Sequence, residues 1–359
     1  MNVNKKVYFE IMRIVACGLV IFNHISGYGL YGISSGLKQF FYMCLTMVTR
    51  INVPLFFMIS GALLLKKEEN IVVILRKRIF RIITVISMFD GIILTVYKIL
   101  AVKQGVEYEY TIKRYLTGVL TNHLDGTNAY WYMYAYLGFL FMLPFMQRIA
   151  KEFSKSEFWT LLILHFLTSS FIPIINIALS NWGLQTIYLC GDFQVPLAFV
   201  KAFFYPLMGY YLEYNIDIFK LKKKHIMGLV VTGCIGILLS NFCTYYEGIT
   251  TGAYTQNYVQ LFDYLTSIVV FLIIKYIFAV KWSENVGVEK VICLGGSLTF
   301  GIYLLDPILR AVFYEKYNTW AEPMLPTLIV SFGWVMISMV CGGGITYIMK
   351  KIPGVKKVI

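Results

Sequence analysis

Long apolar runs follow one another along most of this chain. That succession constrains its fold more than any single motif. A helix that crosses a bilayer needs roughly 20 mostly apolar residues. Ten stretches meet that length: about 7–30, 38–65, 79–101, 129–147, 158–179, 196–214, 226–246, 258–280, 293–313 and 323–349. The chain is 58% hydrophobic and only 14% charged, with a mean hydropathy of +0.68. A soluble domain carries nearly twice that share of charge. The expectation is an all-α polytopic membrane helical bundle of about ten transmembrane helices. It forms one domain over residues 1–359 and sits in the cell membrane as a multi-pass protein.

The basic residues orient the bundle. With the N-terminus inside, 21 Lys and Arg fall in inner segments and five in outer ones. Cytoplasmic loops collect Lys and Arg, so both termini are expected in the cytoplasm. The net charge of +13 has the same origin. No basic stripe accompanies a soluble fold, which excludes a nucleic-acid partner. Membrane lipid is the surrounding partner instead. The seven cysteines occur singly, without a CxxC pair, so no metal is expected. The first run carries Glu10, Arg13, Asn23 and His24 and reads as a retained helix, not a cleaved signal. Outside the spans, "TIKRYLTGVL" reads as a short helix on the membrane surface.

Charged groups inside spans are costly and face a cavity or a partner. Lys98, Arg310, Lys201 and Lys275 stand near span ends and are read as snorkelling. Arg13 and His24 differ. Eleven residues turn a helix through three turns and about 20°, so both share one face, about 16 Å apart along the axis. Glu10 stands three residues before Arg13 and can pair with it. In the second span Arg50 and Asn52 precede Pro54, where the helix is expected to break, and Ser60–Gly61 allows a close helix approach. At the start of the third span, Arg78 and Arg81 share a face suited to an anionic phosphate. Asp306 lies at a depth like that of His24 and needs a partner, either His24 or Arg310. Asp90 reads as a structural hydrogen-bonder.

These pieces resemble the acyltransferase 3 family of integral membrane acyltransferases. Arg13 and His24 match its arginine–ten residues–histidine pattern. "FFMISG" at 56–61, "RIFR" at 78–81, "YWYMYAYLGFLFMLP" at 130–144 and "SLTFGIYLLDPI" at 297–308 follow in the family's order. One departure is Asp306, where many members carry a histidine. The soluble esterase-like domain of some members does not follow the last span.

The resemblance implies an acyl-CoA donor, most often acetyl-CoA, and a hydroxyl acceptor outside the cytoplasm. A cell-surface carbohydrate or glycolipid fits that description. On this reading Arg78, Arg81 and Arg13 bind the donor. His24 is the catalytic base, or accepts the acyl group transiently, with Asp306 or Asn23 orienting it and Arg13 on its face. Arg50 and Ser60 help bind substrate or the oxyanion. Trp131 offers a ring for a sugar to stack on, though interfacial anchoring also accounts for it. The alternative is a membrane transporter of a small polar molecule. No inverted repeat is evident to support it.

Overall fold

The computed structural model describes residues 7–25, 32, 35–109, 111–190, 195–252, 254, 258–281 and 285–359. Among these residues every regular element is helical. The main helices are α1 (Val7–Ile25), α2 (Gly36–Thr49), α3 (Asn52–Leu64), α4 (Ile71–Lys103), α5 (Ile112–Thr121), α6 (Trp131–Lys151) and α7 (Lys155–Asn181). They continue with α8 (Lys201–Tyr214), α9 (Lys223–Thr251), α10 (Asp263–Tyr276), α11 (Val286–Ala321), α12 (Thr327–Met349) and the single turn α13 (Pro353–Lys356).

A helix lies within each of the ten expected stretches, although 258–262 and 323–326 are turns, and residues 26–30 lie outside the described residues. Among the described residues seven helices are long and apolar enough to cross a membrane, taking α2 and α3 as one. α6, α8 and α10 fall outside that set: α8 and α10 have 14 residues each, and α6 is rich in tyrosine and ends on Arg148 and Lys151. Residues of α8 from Phe204 to Gly209 are all buried, and α10 carries Asp263 and Lys275 inside the protein. A helix shielded by its neighbours needs less apolar surface than one facing lipid. The aromatic α6 puts tyrosines where an aliphatic span would put leucines.

α2 and α3 are separated by a turn at Arg50–Ile51. Pro54 lies four residues after Arg50. It has no N–H to offer, and its ring crowds the Arg50 carbonyl, so the helix breaks there. After the break α3 packs against α8 more extensively than any other pair of helices. A Cβ at Gly61 would fall on the Pro206 backbone, and one at Gly209 on the Met58 backbone. Two glycines thus let the helices touch main chain to main chain.

Side-chain bonds show which helix ends lie together. Tyr8 Oη donates to Glu213 (2.7 Å), Gln147 Nε2 to the Leu64 carbonyl (2.9 Å) and Arg81 Nε to the Val358 carbonyl (2.8 Å). These contacts bring the start of α1 to the end of α8, the end of α6 to the end of α3, and Arg81 of α4 to the residues after α13. At the opposite end Asn23 meets Thr49, and Tyr303 donates to the Ala129 carbonyl (2.6 Å). The chain therefore runs up and down through the bundle.

Two expectations change. Lys275 does not snorkel: it is buried, 3.1 Å from Glu213 and bonded to the Leu212 and Glu213 carbonyls. Lys201 also turns inward, to Asp263. α5 is a helix with Ile112, Leu116 and Leu120 exposed along one side, and Tyr115 Oη ties it to the Ser87 carbonyl of α4 (2.7 Å).

Candidate active site

A cavity of about 500 Å³ runs along the inside of α1. Glu10, Arg13, Val20, Asn23 and His24 all reach its wall, so the face deduced from helical spacing is the face that lines it. Toward the start of α1 the wall includes Arg81, Ser297 and Lys350. Toward its end the wall includes Arg50, Asn52, Trp131, Lys201 and Gln260. The cavity extends from one end of the bundle toward the other.

His24 stands at the second end. Its Nδ1 is 2.6 Å from Oδ2 of Asp306. Asp306 is fully buried behind it, whereas the His24 side chain is 16% exposed to the cavity. A carboxylate fixed on Nδ1 accepts a hydrogen bond from the Nδ1–H tautomer and so leaves the Nε2 lone pair for a substrate. Asp306 Oδ1 has no hydrogen-bond partner among the described residues, so the bond at Oδ2 ties this carboxyl to His24. Arg310 does not pair with Asp306. Its guanidinium donates instead to the His24 carbonyl (2.6 Å) and fixes the end of α1. Of the two partners open to Asp306, the structure selects His24.

Asn23 holds the site from the side. Its Nδ2 donates to the Thr49 carbonyl (3.2 Å), and its Oδ1 accepts from Thr49 Oγ1 (2.7 Å). That amide clamps α1 to α2 and does not touch the imidazole. Arg13 is 2.7 Å from Glu10, as the three-residue spacing requires. Ser60 lines the middle of the cavity and donates to the Phe56 carbonyl (2.8 Å). Arg50 is buried with its side chain on the wall. Trp131 is half exposed at the rim. Trp182 and Tyr188 are exposed and do not reach the cavity.

The two arginines read as a phosphate pair part company. Arg81 lines the cavity and bonds the main-chain oxygens of Val358 (2.8 Å) and Ile359 (3.0 Å). Arg78 is off the wall. It makes a two-pronged bond to Glu69 (2.6 and 2.7 Å), which holds the Glu69 carboxyl below its usual range. Arg78 lies in a widened turn of helix over Ile74–Ile79, whereas Arg81 lies on the regular helix that follows. Asp90 is buried in α4, with Tyr134 Oη 3.4 Å from its Oδ2, and stays off the cavity wall.

Sequence reasoning missed one group. Lys201, Gln260, Asp263 and Tyr205 form a cluster at the His24 end, with Lys201 Nζ 2.9 Å from Asp263 and Tyr205 Oη 2.8 Å from it. Lys201 and Tyr205 are four residues apart on one helix face, a spacing that could have flagged them.

Known proteins bear on this arrangement at one point. No curated protein and no solved structure matches the chain. A family model, described as an acyltransferase domain, matches residues 6–348, nearly the whole sequence. With that match, and with the family's arginine and histidine on one cavity wall, the chain belongs to the acyltransferase 3 family.

Proposed function

We propose that the protein moves an acyl group, acetyl in the simplest case, from cytoplasmic acyl-CoA to a hydroxyl of an acceptor outside the cytoplasm. A cell-surface carbohydrate or glycolipid suits that role. The observation that carries the reading is a histidine braced by a buried aspartate on a cavity that also reaches Arg81. In this account the Arg81 end is cytoplasmic, and the protein sits in the cell membrane with both termini inside.

The donor's phosphates dock at the Arg81 end, where Arg81 and Lys350 supply positive charge. Its extended arm runs along the α1 face past Arg13. From Arg13 to His24 that face spans about 16 Å. The acceptor enters from the other end. His24 Nε2 takes the hydroxyl proton as the oxygen attacks the thioester carbonyl. Asp306 holds the ring and stabilises the imidazolium that forms. When the carbon–sulfur bond breaks, the imidazolium returns the proton to the departing thiolate. The products are the acyl ester and free CoA. Arg50, on the wall at the His24 end, supports the oxyanion, and Ser60 would have to turn from the Phe56 carbonyl to join it.

A carrier for a small polar molecule would use the same passage, but it has no need of an aspartate-fixed base facing the cavity. The experiment that separates them uses the purified chain in lipid vesicles with labelled acetyl-CoA and a hydroxyl acceptor. Acyl transfer predicts label in a new ester bond. Label, or acceptor, that crosses the membrane unchanged supports the carrier.

A further inference from the structure

His24 stands at a weak place in its own helix. α1 ends at Ile25, so the His24 carbonyl belongs to the last turn, whose four carbonyls have no partner within the helix. Helix ends fray and open more readily than helix middles. A base needs a firmer hold than that. A displacement of about 1 Å at a reacting group can cost roughly 10²-fold in rate.

Three ties hold this end, and each reaches another helix. Asn23 is bonded to Thr49 of α2. Asp306 of α11 holds the imidazole at Nδ1 (2.6 Å). Arg310 of the same helix donates from Nη1 to the His24 carbonyl (2.6 Å). Asp306 and Arg310 are four residues apart, about one turn of helix. One turn of α11 therefore grips both the ring and the main chain of His24.

A cation suits the second grip. The carbonyl end of a helix carries partial negative charge, and a hydrogen bond from an ionised donor is stronger than a neutral one. Four-residue spacing would also let Arg310 pair with Asp306. Such a pair would draw the carboxylate away from the ring. Instead the guanidinium goes to the main chain and the carboxylate to Nδ1. Arg310 lies off the cavity wall, so whatever it does for a substrate it does through His24. We infer that Arg310 is a positioning residue: it holds the His24 carbonyl while Asp306 holds the ring, and together they fix where Nε2 points. The inference rests on the transfer reading above and adds a residue to it.

The test uses the detergent-purified protein, labelled acetyl-CoA and glucose as the probe acceptor. Arg310→Met keeps most of the side chain's length and removes its donors. It should slow ester formation roughly 10–10²-fold, the scale of a misplaced catalytic group, while acetyl-CoA affinity stays at the unmodified value. Arg310→Lys should recover most of the rate. Amide hydrogen exchange reads the hold directly. In Arg310→Met, residues 20–25 should exchange about tenfold or more faster, the scale of one hydrogen bond to a charged group, with residues 8–16 unchanged. Should Arg310→Met fail to fold, Arg310→Gln, which keeps an uncharged donor on a shorter chain, replaces it in each comparison. Ester formation at the unmodified rate overturns the inference, and so does unchanged exchange at the end of α1. Faster exchange along all of α1 together with lost acetyl-CoA affinity also overturns it, because it marks a general loosening of the bundle. If the unmodified protein forms no ester, the transfer reading fails, and exchange at residues 20–25 still decides whether Arg310 holds His24.

Discussion

His24 and Asp306 lie 282 residues apart in sequence, yet their side chains meet at 2.6 Å, with the aspartate buried and the histidine open to the cavity. The pair divides the labour of a base. One nitrogen is fixed and the other is free. Replacing Asp306 by Asn keeps the shape but removes the charge that steadies an imidazolium. The turnover rate of acyl transfer should fall roughly 10²–10⁴-fold, the usual range for positioned proton transfer. Acetyl-CoA affinity should stay near that of the unmodified protein. Single-turnover kinetics beside a direct binding measurement checks both halves.

Arg81 and Arg78 should behave differently. Arg81 reaches the cavity and Arg78 does not. Arg81→Ala is expected to weaken acetyl-CoA binding about tenfold or more, the scale of a hydrogen bond to a charged group. Arg78→Ala should leave that affinity nearly unchanged. Equal losses from the two would return them to a shared phosphate site.

Arg78 has a pH signature of its own. Its hydrogen bonds lower the Glu69 carboxyl below the usual range. A group lowered on folding stabilises the fold above its unfolded pKa, about 4.3 for glutamate. That stabilisation is lost as pH falls through the lower folded value. The gap in melting temperature between the unmodified protein and Glu69→Gln should therefore be open at pH 7 and close on acidification below about pH 4.

The Lys275–Glu213 pair is buried on both sides. Removing one partner strands a charge, so Lys275→Met alone should cost about 3–5 kcal/mol. Lys275→Met with Glu213→Leu should recover much of that loss. Unfolding in detergent, followed by far-ultraviolet circular dichroism, checks the comparison.

At the α3–α8 crossing, a methyl group at Gly61 has main chain in its way. Gly61→Ala should destabilise by about 1–3 kcal/mol or more, as overpacking does. Gly344 has open space around it. Gly344→Ala is the control and should melt like the unmodified protein.

Much of the architecture was legible because lipid imposes a simple rule: long apolar runs become helices. The α1 face was legible because helical spacing is rigid. It put Arg13 and His24 on one face, with Glu10 beside Arg13, before any contact was known. Spacing within one helix cannot show what lies across from it. That is why Asp306 had two open partners and Lys201 was read as snorkelling. A span-end lysine and a buried one look alike until the neighbouring helix supplies Asp263 or Glu213. Arg78 and Arg81 face different partners for a local reason that spacing does not show: Arg78 sits in the widened turn at Ile74–Ile79 and Arg81 on the regular helix after it.

The account rests most on His24. In the purified protein, with labelled acetyl-CoA and a hydroxyl acceptor, His24→Ala should bind acetyl-CoA yet form the labelled ester at least about 10²-fold more slowly than the unmodified chain. Ester formation at the unmodified rate would contradict the account.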